Sequence, residues 1–161
     1  MLDNPAQESH VVKPKRYRHG NLPNALRIAA RDILNEGDIP ALREVARRVG
    51  VSATAAYRHY ESFDALMRAV AIEGFGELAN AVEVSREIDP TDGPGAYIRF
   101  ANDNAGLFRL MFSEENREVV FFSDAVSEAL GGLDAWPRIH GLASLVVAGR
   151  LALDEAVGRA A

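Results

Sequence analysis

Cysteine is absent from the chain, so disulfides, thiolate-zinc sites and thiol redox chemistry are excluded. Tryptophan occurs once and aromatic residues make up only 7% of the sequence, few enough that each candidate aromatic contact can be named individually. Long hydrophobic runs are also missing. The most apolar stretch, Ile139 to Leu153, is broken by His140, Ser144 and Arg150, and the N-terminus lacks the charged-then-apolar order of a secretion signal. The expectation is therefore no export, no membrane span and a cytoplasmic location. Catalytic patterns are lacking too. The four histidines, His10, His19, His59 and His140, have no His-Glu-x-x-His spacing. There is no Gly-x-Ser-x-Gly and no phosphate-binding glycine loop, and Glu114-Glu115 reads as a surface helix start rather than an acid-base pair. No catalytic residue, metal or cofactor is assigned.

What is present is an ordinary folding composition, 48% hydrophobic and 25% charged, in 161 residues. That length fits one compact domain or a small head fused to a helical body sharing a continuous core. The net charge of −5 is unevenly distributed. Through Tyr60 there are 10 basic and 6 acidic residues, a net of +4, whereas the remainder has 8 basic and 17 acidic residues, a net of −9. A basic head on an acidic body suits a protein of which one end meets phosphate.

Residues 1–20 show no apolar period and carry Lys13, Lys15, Arg16, Arg18 and His19, which predicts a flexible basic arm able to reach phosphate or a minor groove. From residue 21 the pattern becomes helical. Asn21 caps a first helix with Leu22, Leu26, Ala29 and Ile33 on one stripe, ended by Gly37. A second begins near Leu42 and aligns Val45, Ala46 and Val49, stopping at Gly50. Ser52 caps a third, short helix from Ala53 to about Tyr60. One long helix follows from Ser62 to about Glu87, then a loop over Asp89 to Gly95. Helices containing Phe100 and Leu107 come next, with helix continuing through Val119 to Leu130, although Val119 to Phe122 has extended character without a partner strand. A last helix is predicted from Ala135 or Trp136 towards Gly158. The fold class is all-α: a three-helix helix-turn-helix head at 21–61 fused to a helical bundle at 62–161.

The stretch from Arg43 to Tyr60 carries the chemistry. A helix-turn-helix needs a small residue where its helices cross, a glycine at the turn and an apolar residue after it, and Ala46, Gly50 and Val51 supply these. Ala53, Thr54, Tyr57 and Arg58 can then project outward, with Ser52 and His59 at the ends. Small residues permit close approach to base edges, Thr54 can read a base, and Tyr57 and His59 can bond phosphate oxygens. Lys15, Arg16, Arg18 and Arg43 complete the candidate DNA-binding set. An ordinary surface helix pair with solvated arginines is the alternative.

The run from His19-Gly-Asn-Leu through Leu-Arg-Glu-Val-Ala and Gly-Val-Ser to Ala-Tyr-Arg-His-Tyr-Glu-Ser-Phe-Asp-Ala-Leu66 resembles the N-terminal domain of the tetracycline-repressor (TetR) family over residues 19 to 72. Tyr97-Ile-Arg-Phe, Leu107-Phe-Arg-Leu-Met-Phe112 and Trp136-x-x-x-His140-Gly-Leu-Ala-Ser-Leu145 are similar to the Trp-His-Gly branch of that family. The resemblance implies a homodimer paired through its last helices, a small-molecule inducer pocket in the body, and release from a palindromic double-stranded DNA operator when ligand binds. Tyr97, Phe100, Phe108, Met111, Trp136 and His140 are the candidate pocket residues; aromatic and methionine residues at helical spacing are also core formers. Departures from the family pattern are Ala41, which cannot cap the second helix, Phe63 where the family favours a phosphate-facing lysine, and a short interval from Phe112 to Trp136. The functional expectation is a ligand-responsive transcriptional regulator that represses. Its alternative is an all-α interaction module with a truncated or non-sensing C-terminal domain.

Overall fold

The structure is a computed structural model that describes residues 21–119, 124–132 and 134–161. Among these residues it is all-helical, as expected: α1 (Leu22–Asn35), α2 (Leu42–Val49), α3 (Ala53–Tyr57), α4 (Phe63–Ile88), α5 (Gly93–Asp103), α6 (Ala105–Met111), α7 (Asp124–Ala129), α8 (Trp136–Val147) and α9 (Leu153–Ala160), with a 3-10 turn at Glu114–Asn116. No described helix is long and apolar enough to cross a membrane.

Capping explains most of the boundaries. Asn21 Oδ1 accepts from the amide of Asn24 at 3.3 Å to open α1, Ser52 Oγ accepts from Ala55 at 3.2 Å to open α3, and Ser62 Oγ accepts from Ala65 at 3.0 Å to open α4. Helix α2 ends in a Schellman motif: the Val51 amide donates to Ala46 O at 2.9 Å and the Gly50 amide to Arg47 O at 3.1 Å, with Gly50 at φ 80°. A side chain at 50 would be strained in that left-handed conformation. Ala41 precedes α2 in extended backbone with no side-chain cap, leaving an orphan amide unpaired. Since its backbone already has N-cap geometry, Ala41→Ser should supply the missing side-chain cap, its Oγ accepting from the Glu44 amide. The expected gain is about 1 kcal/mol, or roughly 2–4 °C in melting temperature, readable by thermal denaturation.

Three expectations are revised. The loop after α4 is shorter than predicted, because Pro94 sits in the first turn of α5, where its missing N–H costs nothing. Of the stretch expected to be helical through Val119 to Leu130, Val119 lies in no helix and Asp124–Ala129 form α7, while residues 120–123, with Phe121 and Phe122, lie outside the described residues. Finally, the last predicted helix is two. Gly149 at φ 66° closes α8, with the Arg150 amide donating to Leu145 O at 2.8 Å, and Ala152 is extended before α9.

The buried residues form one cluster that runs from Leu26, Ile33, Val45 and Ala56 through Leu66, Val70 and Leu78 to Tyr97, Leu107, Ile139 and Ala156. The first three helices therefore do not own a separate core. Helix α4 is the spine, packed by α1 at one end and by α5, α6 and α7 further along, while α5 is covered by α8 and α9. Contact between α1 and α6 is very close: a Cβ at Gly106 would run into the Leu34 carbonyl.

Candidate functional site

Helix α3 is five residues long and buries one of them, Ala56, at 1% exposure. Such a helix is held in place by others. Arg27 on α1 donates to the Tyr60 hydroxyl at 2.9 Å, and that hydroxyl donates to the Pro23 carbonyl at 3.3 Å, which pins the end of the α3 segment onto α1. Tyr60 and Arg27 were not among the candidate residues, because their pairing spans 33 positions and leaves no local signal. With the segment fixed, Ser52, Thr54, Tyr57, Arg58 and His59 are exposed and Ala53 is half-buried. Tyr57 is 54% exposed, a large aromatic that packing alone does not require on the surface. Ser52 Oγ accepts one bond in the helix cap, and its O–H can still donate outward.

The arginines sort into two groups. Arg27 pairs with Glu73 and Arg31 with Glu77, both reaching from α1 to α4, and Arg31 also donates to Asn104 Oδ1 at 3.0 Å. Arg47 forks onto Glu44 at 2.7 and 2.8 Å. Arg48 bonds both Glu36 oxygens at 2.6 and 2.7 Å and Glu44 at 3.1 Å, tying α2 to the end of α1. Hydrogen bonds from Arg47 and then Arg48 hold the Glu44 carboxyl down at about 2, so it stays ionised and keeps both guanidiniums occupied. Of the six arginines between 21 and 60, only Arg43 and Arg58 have no carboxylate partner among the described residues. Both belong to the predicted DNA-contacting set, and both are exposed. Lys15, Arg16 and Arg18 lie outside the described residues.

The predicted pocket residues are only partly brought together. Tyr97 is sealed in the core at 0% exposure, and burial pushes its phenol well above the usual tyrosine value against an opposing bond from Trp136. Its hydroxyl is hydrogen-bonded to His140 Nδ1 at 2.9 Å, and burial lowers the His140 pKa. Around the imidazole, Phe108 stacks at 5.4 Å, Trp136 stacks at 5.1 Å and Phe112 lies tilted at 4.4 Å between ring centroids. Phe108 and His140 line a cavity of about 310 Å³, whereas Met111 and Trp136 line a separate one of about 240 Å³. Phe112, overlooked as a pocket candidate, lines both. Phe100 faces elsewhere, beside Arg31, Glu77 and Asn104. The aromatic set is thus first a packed cluster, and its rings occupy much of the space that a ligand there would need.

A larger cleft of about 470 Å³ lies where α1, the α1–α2 connection and the start of α4 meet α6 and the 3-10 turn. Its floor includes Leu34, Met67, Leu110 and Phe63. The expectation that position 63 faces the DNA backbone is corrected here: Phe63 is half-buried, packs on the core and lines this cleft.

No known family model matches the chain, and no curated protein matches it. A solved structure from Rhodococcus sp. RHA1, described as that of a protein with unknown function, is similar at 27% identity. The superposition has a TM-score of 0.67 and covers 89% of this chain and 93% of that one. The likeness therefore extends over the helical body as well as the first three helices, and it carries the fold rather than an activity. Among the described residues no group of three or more His, Cys, Asp or Glu is placed to hold a metal ion.

Proposed function

We propose that the protein is a DNA-binding transcriptional regulator, a repressor that leaves a palindromic operator when a small molecule binds, working in the cytoplasm as a homodimer paired through α8 and α9. The observation that carries this reading is the division of the arginines: four of six near the first helices are neutralised by carboxylates, and the two left free flank the exposed face of α3 in sequence. One free cation on α2 and one at the end of α3, with Thr54, Tyr57 and His59 exposed, suit a surface that meets phosphate and base edges together. A five-residue recognition helix reads few base pairs, so useful specificity asks for two copies on two half-sites.

The experiment is a mobility shift on the promoter of the protein's own gene and on random DNA, with Tyr57→Ala and Thr54→Ala compared. Tyr57→Ala should weaken both DNAs alike, by about tenfold to a hundredfold for a lost bond to a charged phosphate. Thr54→Ala should instead change the ratio of operator to random affinity, because a base contact specifies and a phosphate contact positions. Failure of the wild-type chain to shift any DNA would remove the regulator reading and leave the all-α interaction module.

A further inference from the structure

We propose that the 470 Å³ cleft between the first helices and the body is an effector site, and that it takes an amphipathic aromatic or alicyclic carboxylate. Its regulatory meaning rests on the regulator reading above; its ligand chemistry does not. The volume falls within the range of small-molecule sites, and the cleft has the apolar floor with charged edge that such sites show. The expected aromatic cluster offers less room, split between two smaller cavities.

Charge selects the ligand. Five ionisable side chains stand at the edge, Asp38, Asp64, Arg68, Arg109 and Glu115, all exposed. Glu115 is held ionised by hydrogen bonds from its own backbone amide and from Ser113, which lower its pKa, and Asp64 sits in the first turn of α4, where the helix dipole favours an anion. Asp38 lies on the exposed turn between α1 and α2, and among the described residues none of the three carboxylates is ion-paired with either arginine. The two arginines have no carboxylate among the described residues: Arg109, which also borders the His140 cavity, donates only to the Val147 carbonyl at 2.7 Å on that side, and Arg68 makes no ion pair. A bound carboxylate would give both guanidiniums the partner they lack. An apolar ring would meanwhile cover Leu34, Met67 and Leu110.

Position gives the cleft leverage. One wall is the end of α1 and the connection into α2, which carries α3 across the Gly50 turn; the opposite wall is α6. The walls meet where Gly106 touches the Leu34 carbonyl, so a ligand wedged beside that contact favours one spacing of α1 from α6 over another. The tilt of α2 and α3 follows that spacing.

The test uses two fluorescent probes on the full chain: anionic 1-anilinonaphthalene-8-sulfonate and its uncharged counterpart N-phenyl-1-naphthylamine. The wild-type protein should bind both saturably, one per chain. Arg68→Gln combined with Arg109→Gln should weaken the anionic probe about tenfold or more and leave the neutral one within about twofold. Leu110→Trp and Leu34→Trp, each checked for an unchanged helical spectrum, should fill the cleft and weaken both probes about tenfold, while Ser144→Trp at the His140 cavity should change neither. Undiminished binding in whichever filled variant folds, loss confined to Ser144→Trp, or no saturable binding by the wild type would overturn the site. Equal loss of both probes in the arginine variant would overturn the anionic class. A final arm adds the sulfonate to a preformed operator complex: displacement that Leu110→Trp or Leu34→Trp abolishes is expected, and retention of the complex at saturating probe overturns the regulatory role. A wild type that binds no DNA but passes the probe titrations defeats the regulator reading and not the ligand site.

Discussion

Leu145→Glu should turn a dimer into a well-folded monomer and cost about a hundredfold or more in affinity for a palindromic operator, since one half-site then has to hold alone. From Ile139 to Gly149 helix α8 and its end carry no Asp, Glu, Lys or Arg. Leu145 is 47% exposed on that uncharged segment, and Ser144 and Ala148 near it in sequence are exposed as well. In a two-fold pair the same patch meets itself, so a single substitution sets two carboxylates near the axis in a desolvated contact, where like charges cost several kcal/mol. Because the residue is exposed within one chain, the fold of that chain should survive, and the far-ultraviolet spectrum should match the wild type. Sedimentation at micromolar concentration reads the association directly. A wild-type chain that sediments as a monomer with and without DNA, or a Leu145→Glu chain that remains dimeric, would show that α8 and α9 do not pair.

Phe63→Lys should lower the melting temperature and leave the salt dependence of DNA binding unchanged. Phe63 is half-buried against the core at the head of α4, so removing its ring forfeits about half of the 1.5–3 kcal/mol that full burial of such a side chain contributes. The lysine stem covers some of the same surface while its ammonium reaches for water, which limits but does not cancel the loss. For a chain of this length the drop should be roughly 2–6 °C. If instead the new ammonium met a phosphate, the slope of log affinity against log salt would steepen by about 0.9 per half-site, with operator and random DNA strengthened alike. That steeper slope with an unchanged melting temperature would restore the DNA-facing position that the structure withdraws from residue 63.

The same residue illustrates why parts of the site were legible and others were not. Residues whose role is local were readable: Asn21, Ser52 and Ser62 cap the helices that the sequence placed after them, and Gly50 makes its left-handed turn. Exposure of Thr54, Tyr57, Arg58 and His59 followed from a short helix with one small apolar anchor, Ala56. Roles set by distant partners were not readable. Arg27, Arg31 and Arg48 look in sequence like the same basic surface as Arg43 and Arg58, yet each is held by a glutamate from another segment, two of them 46 residues away on α4; Arg47 differs in pairing with Glu44 three residues back on its own helix. Gly149 gives no decisive local signal, since one glycine inside an apolar stripe is tolerated in many helices; here its left-handed φ closes α8.

By itself the sequence determined the all-α class, the caps and turns of the first four helices, and the outward face of α3, because each follows from hydrogen bonds and apolar spacing within a few residues. Only the tertiary structure decided which arginines are free, that Phe63 turns inward, that Tyr97, Phe108 and His140 spend their surface on one another, and that a cleft of about 470 Å³ opens between α1 and α6. Those outcomes depend on how separate helices pack, and packing brings together residues whose distance along the chain carries no information about their distance in space.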